Sequence, residues 1–211
     1  MSSKTSKAES SAAKEKETER ARERALVQRC KDGDIGAFDE LVRRYEKRVF
    51  GFAYRLAGNQ DDASDVTQEA FIRVFNSIHT FRGDAVFTTW IYRIVTNVYL
   101  DERKKSKSHR QTSLDDYIEL DENAVTRQIE DEGPTPDEIV EKKERDRVVQ
   151  EAVSSLPEYQ RVIVVLYHMQ SRSYEEIAEI LHLPIGTVKS RLNRARLALA
   201  EKLESRPELF G

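Results

Sequence analysis

Side chains suited to reading nucleic acid lie together near the end of the chain, on one face of a predicted helix that begins at Thr187. At about 100° per residue, an apolar stripe forms from Val188, Leu192, Ala195 and Leu199. The other faces carry hydroxyl, amide and cationic groups on Thr187, Lys189, Ser190, Arg191, Asn193, Arg194 and Arg196. Arg and Lys can donate to guanine edges, an amide can pair with adenine, and cations can hold phosphates. The spacing therefore predicts a surface that binds duplex DNA.

A preceding helix would position this surface. Helical periodicity over Tyr174–His182 is interrupted by Pro184 and Gly186, and Ala178 is small where two helices would cross closely. Two short helices around a tight turn form a helix-turn-helix, whose second helix enters the major groove. A bundle helix with a solvated basic face is the ordinary alternative. The turn, the small residue and the two opposed faces in one window favour DNA binding.

A second candidate surface lies on a predicted helix over Asp61–Ile78. Its apolar face is formed by Ala63, Val66, Ala70 and Val74. Another face carries a stripe about two turns long, called here the acidic stripe: Asp62, Asp65, Gln68 and Glu69. Taken alone, such a stripe is more often a solvated helix face than a binding surface.

A third candidate surface, the loop face, combines a loop with the helix that follows it. The loop over residues 79–86 contains Phe81, Arg82, Gly83 and Asp84, and the next helix presents Arg93 and Asn97 outside its core stripe. We expect Thr89, Tyr92, Thr96 and Tyr99 to cover the rest of the helix surface. Aromatic, amide and guanidinium groups can stack unpaired bases and read their edges, although an ordinary surface helix can carry them too.

Composition narrows the class of protein. Apolar residues make up 38% and charged residues 35% of 211 residues, with 8 Gly and 5 Pro, which favours helices over a β-sandwich. The sequence shows no nucleophile–base pair, phosphate loop or metal-ligand spacing, so we expect no enzyme, metal, cofactor or small-molecule substrate. One cysteine, Cys30, and the lack of a long apolar run favour a cytoplasmic protein.

The predicted organisation is all-α, with two small helical domains. Residues 1–19 contain little to bury and predict a disordered tail, followed by a first domain over 20–111. Residues 112–136 are rich in acids and contain Gly133-Pro134, which predicts a flexible acidic linker to a second domain over 137–206. The net charge of −3 averages over a first domain with more basic than acidic residues and a strongly acidic linker. It therefore does not exclude nucleic-acid binding.

Three blocks of sequence carry a resemblance to a known family. Asp62–Phe71 (DASDVTQEAF), Phe81–Trp90 (FRGDAVFTTW) and Leu156–Arg196 resemble, in order and spacing, the extracytoplasmic-function sigma factors of bacterial RNA polymerase, within the sigma-70 family. The resemblance implies that the first domain is sigma region 2 and the second is sigma region 4. A helix-turn-helix regulator that binds duplex DNA without joining polymerase is the alternative. Residues 1–111 argue against this alternative. A regulator of the two-component type would carry a phospho-receiver domain there, which needs alternating strands and helices, whereas these residues predict four helices.

The resemblance also assigns partners. It implies that the acidic stripe docks on the β′ clamp helices of core RNA polymerase, with the β flap as a further contact. The loop face would capture a base flipped from the −10 element, and the Thr187–Arg196 surface would read the −35 element of promoter DNA. The resemblance also implies one further partner, an anti-sigma factor.

Overall fold

The computed structural model describes residues 2–112 and 136–204, with side chains over 17–106 and 144–204. These ranges contain no strand, which confirms the all-α prediction. The helices are α1 (Ser2–Lys31), α2 (Ile35–Ala57), α3 (Gln60–Ser77), α4 (Phe87–Thr112), α5 (Pro136–Ser154), α6 (Glu158–Val164), α7 (Tyr174–Leu181) and α8 (Ile185–Leu203). A 3₁₀ turn, Ile78–Thr80, follows α3, and a π-helical turn, Val165–Met169, follows α6.

Local signals set the ends of the central helix, α2. The Asp34 carboxylate accepts from the Ala37 N–H (3.0 Å), and Gly58 ends the helix at φ +87°, where its N–H donates to the Tyr54 carbonyl (2.8 Å). Asn59 then caps α3 by accepting from the Asp62 N–H (2.8 Å). The chain therefore turns sharply between α2 and α3. The buried faces of α2, α3 and α4 together form one core.

The N-terminal helix differs from the sequence prediction. α1 begins at Ser2, so residues 2–19 are helical where the composition predicts a disordered tail. Ala, Glu, Lys and Arg are strong helix formers, which explains a helix with little apolar surface. Ion pairing of Glu19 with Arg44, and a hydrogen bond from Tyr45 to Glu23, join this helix to α2.

The second domain contains the predicted helix-turn-helix. Ser173 and Glu176 form a reciprocal capping box at the start of α7: Ser173 Oγ accepts from the Glu176 N–H (3.2 Å), and Glu176 accepts from the Ser173 N–H (2.8 Å). His182 ends α7 in the left-handed region (φ +51°). On α8, Val188, Leu192 and Ala195 are buried, as the spacing predicts.

The two domains pack against each other through α4 and α7. Consequently Thr89, Tyr92, Thr96 and Tyr99 are buried, so the prediction that they cover the surface of α4 is wrong. Tyr92 and Tyr99 make hydrogen bonds to the second domain, and these contacts are invisible to a periodicity argument within one helix. The predicted acidic linker lies almost wholly outside the described residues, and the proposed domain boundaries stay predictions.

Candidate nucleic-acid and partner interfaces

The predicted DNA-reading surface of α8 faces solvent. Lys189, Ser190, Asn193, Arg194 and Arg196 are exposed, while Thr187 and Arg191 are half-buried. In the described part of the chain, the Asn193 and Arg194 side chains make no hydrogen bond or ion pair, so their polar groups are available to a ligand. Ser190 Oγ donates to the Thr187 carbonyl (3.1 Å), which leaves its oxygen free to accept.

Three cations of this surface lie over tyrosine rings. Lys189 Nζ is 5.5 Å from the ring centre of Tyr174, and the Arg196 guanidinium is 4.9 Å from that of Tyr167. The Arg191 guanidinium is 5.4 Å from the ring centre of Tyr159 on α6. Cation–π contacts of this kind restrict the long side chains, so these cations are oriented before any ligand binds. The tyrosines lie outside the helix-turn-helix periodicity or at its margin, and the sequence offered no signal for this role.

A histidine completes the arrangement around Arg196. The Arg196 Nε–H donates to His168 Nε2 (3.1 Å), which requires a neutral imidazole. Burial and the nearby Arg196 charge both lower the pKa of His168. The rings of Tyr167 and Tyr174 stack beside it with centres 5.1 Å apart.

On the first domain, the acidic stripe is partly neutralised by its own neighbours. Asp62 pairs with Arg103 (3.0 Å), and Glu69 pairs with Arg73 (2.8 Å). Asp65 and Gln68 are the exposed members of the stripe. The charge available to a partner is therefore concentrated around Asp65.

A carboxylate that the sequence reasoning missed extends this surface. Glu102 lies on α4 and lines the same shallow depression as Asp62 and Asp65. Burial, followed by the charges of Asp65 and Asp62, raises the pKa of Glu102. It was missed because it belongs to a different helix, 33 positions beyond Glu69 in the printed sequence.

An apolar groove adjoins the acidic stripe at Gln68. This open groove, of about 650 Å³, lies between α2 and α3, and its lining includes Phe38, Phe50, Phe71, Ile72 and Phe75. Ile72 is 50% exposed and Phe75 is 54% exposed, which is unusual for large apolar side chains on a folded surface. The sequence signal was present, since Phe71, Ile72 and Phe75 fall outside the core stripe of α3.

The loop face is assembled at the start of α4. The ring of Phe81 packs against Phe87 (5.4 Å between centres) and Trp90 (5.3 Å), and its carbonyl accepts from Lys31 Nζ (3.1 Å). Phe81 therefore anchors the loop more than it presents a free ring. Arg82, Gly83 and Asp84 are exposed, and Gly83 has φ +82°, a conformation that side chains disfavour.

Asn97 lies on the open side of α4. Trp90, Arg93, Ile94 and Asn97 form one partly exposed stripe, and Asn97 is about 10 Å along the axis from Trp90. Among the described residues, Asn97 makes no hydrogen bond to the loop over 79–86. Its amide is free to pair with a base edge.

Other kinds of site are not found in the described ranges. No cluster of His, Cys, Asp or Glu there could hold a metal ion. None of the helices in those ranges is long and apolar enough to cross a membrane.

Two family patterns match the chain, one in each domain. The pattern described as Sigma-70 region 2 matches residues 41–109, and that described as Sigma-70, region 4 matches residues 146–199. These regions coincide with the domain that carries the acidic stripe and loop face, and with the helix-turn-helix domain. The fold and its surfaces thus define a promoter-recognition protein of the sigma-70 class.

Related proteins narrow the class. The chain is 36% identical to the ECF RNA polymerase sigma factor SigW of Bacillus subtilis over 84% of this chain and 94% of that protein. It is 35% identical to the ECF RNA polymerase sigma-E factor of Haemophilus influenzae over 88% of this chain and 97% of the relative. The chain belongs to the extracytoplasmic-function (ECF) sigma factors.

Solved structures share the fold at lower identity. A sigma factor RpoE in complex with the anti-sigma factor NepR, from Bartonella quintana, has a TM-score of 0.62 at 24% identity, covering 80% of this chain and 98% of that one. CnrH in complex with the cytosolic domain of CnrY has a TM-score of 0.60 at 22% identity, covering 87% of this chain and 97% of that one.

Family membership establishes the activity of the chain. It is an alternative sigma factor that binds core RNA polymerase and directs promoter recognition and transcription initiation. The alternative of a helix-turn-helix regulator outside polymerase is not favoured, because the Sigma-70 region 2 match occupies the first domain.

Proposed function

We propose a division of labour among the three surfaces: the acidic stripe docks on polymerase, the loop face reads the −10 element, and the exposed face of α8 reads the −35 element. The observation that carries this proposal is that all three surfaces stay open to solvent on different helices while the opposite faces of those helices are buried. Each can therefore engage a partner without unfolding its domain.

At the −35 element, Asn193 and Arg194 would read base edges in the major groove. Both are exposed and lack a partner in the described part of the protein, so binding DNA costs them no existing contact. Lys189 and Arg196 would hold phosphates or guanine edges from orientations that Tyr174 and Tyr167 restrict. Thr187, Ser190 and Arg191 would complete the contact at its margins.

At the −10 element, opening would rest on differential binding. An extruded base and a single strand gain contacts that the duplex cannot make, and unstacking costs a few kcal/mol. Stacking on an aromatic side chain contributes about 1–3 kcal/mol per base. Trp90, half-buried beside Phe81, can supply such a ring, while Asn97 and Arg93 offer hydrogen bonds to the base edge.

Docking on polymerase would combine charge with apolar contact. The free charge near Asp65 suits a basic partner such as the β′ clamp helices, and the adjoining groove with Ile72 and Phe75 suits the apolar side of a helix. Charge would steer the encounter, and burial of the groove would slow dissociation. The β flap stays a further predicted contact on polymerase.

The subunit itself would catalyse no reaction: polymerase forms the bonds, and this chain supplies recognition and opening in the cytoplasm. An anti-sigma factor is also proposed as a partner, by analogy with the solved relatives described with NepR and CnrY. The docking and promoter-reading surfaces are the ones such a regulator would cover.

Reconstitution with core polymerase tests the docking assignment. Asp65→Lys places a cation against a basic partner, so we expect at least tenfold weaker binding to core polymerase at physiological salt. Asp39→Lys is the matched control, since Asp39 is an exposed carboxylate on α2 outside the stripe and the net charge changes equally. The −35 affinity of both variants should equal wild type. Equal loss of polymerase binding in the two variants would contradict a local docking site.

A further inference from the structure

One histidine borders the exposed face of α8 without belonging to the helix-turn-helix. His168 is exposed and lies in the π-helical turn Val165–Met169. Its Nε2 accepts from the Arg196 Nε–H (3.1 Å), and its ring meets the Tyr167 ring edge to face, with centres 4.9 Å apart. Since Arg196 is a cation of the α8 face, His168 lies at the edge of the same surface.

The π-helical turn explains why this histidine reaches α8. Val165 and Leu166 are buried, whereas Tyr167 is half-buried and His168 is exposed. The Gln170 N–H donates to the Val165 carbonyl (3.0 Å), an i→i+5 bond where an α-helix would make an i→i+4 bond. Directly after the buried run of α6, two polar rings therefore contact a cation of α8. Single π-helical turns of this kind are frequent at functional sites.

The hydrogen bond from Arg196 fixes the charge state of His168. A guanidinium only donates, so Nε2 carries a lone pair and the imidazole is neutral, with its proton on Nδ1. Burial, followed by the charge of Arg196, lowers the pKa of His168. In the free protein at neutral pH, His168 is therefore an uncharged acceptor that holds Arg196.

Other groups around the turn act in the same direction. The charged and titratable side chains in contact with it include Arg196 on α8, Tyr174 on α7, Arg55 on α2 and Tyr167 within the turn. The two charged members are cations, and the Arg55 Nη1 lies 3.4 Å from Met169 Sδ. Cations disfavour an imidazolium beside them, and a nearby anion would reverse that effect.

A DNA phosphate is such an anion. A charged acceptor binds a guanidinium N–H more strongly than a neutral acceptor does, so a phosphate oxygen would take the place of His168 Nε2. Arg196 is exposed and has a long side chain, so it can turn towards that oxygen. The lone pair of Nε2 would then be free, and the negative charge would favour its protonation from solvent. The new Nε2–H would donate to a second oxygen of the same phosphate.

We propose that His168 is a phosphate-binding residue of the −35 surface, neutral in the free protein and charged in the DNA complex, so that DNA binding takes up a proton at Nε2. The inference rests on the proposed binding of duplex DNA by the exposed face of α8. It adds to that function a contact with the DNA backbone that depends on pH. Because phosphates carry no sequence information, this contact would raise the affinity for any duplex and leave the −35 preference unchanged.

The direction of the pH dependence follows from the two charge states. Since DNA binding favours the protonated imidazole, affinity should rise as the pH falls through the pKa of His168 in the complex. The rise should end below the pKa of His168 in the free protein, where both states are protonated. Protonated His168 would neutralise a further phosphate charge, so the plot of log affinity against log salt should be steeper by about 0.9 in acid.

His168→Gln isolates this contact. The amide oxygen of Gln can still accept from Arg196, but the side chain does not titrate. Fluorescence anisotropy of the full chain with a labelled −35 duplex, at about pH 8 and about pH 5.5, compares the two proteins. From the higher to the lower pH, wild type should gain at least about fivefold more affinity than His168→Gln. His79→Gln is the matched control, because His79 is an exposed histidine of the first domain, and it should bind the −35 duplex as wild type does at both pH values.

Nuclear magnetic resonance of the imidazole measures proton uptake directly. The Cε1–H signal that disappears in His168→Gln belongs to His168, and its titration gives the pKa in the free chain and in the duplex complex. That pKa should be higher in the complex, with the −35 duplex and with a scrambled duplex alike. An equal pKa in the two states, or a gain of affinity in acid that is the same in wild type and His168→Gln, overturns the inference.

The same measurements separate this inference from the proposed function. A −35 preference that is present in wild type and lost in Arg194→Ala, with an unchanged pKa of His168, would remove the histidine contact and keep the proposed reading of the −35 element. A raised pKa on duplexes of any sequence, without a −35 preference, would keep the phosphate contact and count against base reading by α8. Absence of binding to either duplex would contradict both proposals.

Discussion

Replacement of Arg194 by alanine separates DNA reading from folding. Its guanidinium is exposed and has no hydrogen bond or ion pair in the described part of the chain. The free energy of unfolding should therefore change by less than about 0.5 kcal/mol, as is usual for an uninvolved surface residue. If the side chain holds a guanine edge, −35 binding should weaken by about 1–3 kcal/mol, or about 5- to 150-fold.

The neighbouring core residue provides the opposite signature. Leu192 is 1% exposed and belongs to the buried stripe of α8. Leu192→Ala should lower the free energy of unfolding by about 2–5 kcal/mol, because it removes buried methyl groups and leaves a cavity. The remaining folded protein should read the −35 sequence with unchanged preference.

Two measurements on the full chain distinguish these outcomes. Circular dichroism melts report stability, and fluorescence anisotropy with a labelled −35 duplex and its single-base variants reports affinity and preference. A base contact predicts lost discrimination at one position, whereas a phosphate contact predicts uniform weakening and a salt slope smaller by about one. Wild-type affinity and preference in Arg194→Ala, or wild-type stability in Leu192→Ala, would refute the assignment of the two faces.

Two further predictions concern the first domain. Asn97→Ala should lower promoter opening and reduce the discrimination among the four bases at one −10 position. Pre-melted bubble templates that carry each base at each position measure this discrimination. An equal loss of binding for all four bases at every position would instead make Asn97 a structural residue. Glu102→Gln should raise the melting temperature at pH 7. Because the pKa of Glu102 is raised in the folded protein, its ionised form destabilises the fold at pH values above that pKa. This destabilisation disappears below the ordinary value near 4.5. Wild type and variant should therefore have the same melting temperature at pH 3.5. A gain that persists at pH 3.5 would point to packing instead of charge.

Periodicity within single helices predicted the parts of the fold that depend on local sequence. The turn at Pro184 and Gly186, and the buried stripe with Val188 and Leu192, follow from residues a few positions apart. The capping box of Ser173 and Glu176 is equally local. For that reason the helix-turn-helix, with its exposed α8 face, could be predicted.

Features that join distant segments could not be predicted in this way. Tyr92 and Tyr99 look like surface residues of α4 until the second domain packs on them, through Gln170 and Arg161, which are 78 and 62 positions further along the chain. The cations of α8 lie over tyrosines, two of which, Tyr159 and Tyr167, come from earlier segments. Arg161 on α6 is buried and donates to the Leu56 carbonyl and the Tyr99 hydroxyl of the first domain. The sequence offered no signal for this contact, since a single arginine in an apolar run carries no periodicity.

Because Arg161 follows the first domain in the chain, its hydrogen bonds to Leu56 and Tyr99 can form only late in protein synthesis. Translation at about 5–20 residues per second reaches Arg161 about 2–10 s after Thr112, the last residue of α4. During those seconds the first domain can fold with its acidic stripe and loop face complete. The Leu56 carbonyl and the Tyr99 hydroxyl do not yet accept hydrogen bonds from Arg161. Until Arg161 is made, the first domain of a nascent chain therefore lacks the two interdomain hydrogen bonds of the finished fold.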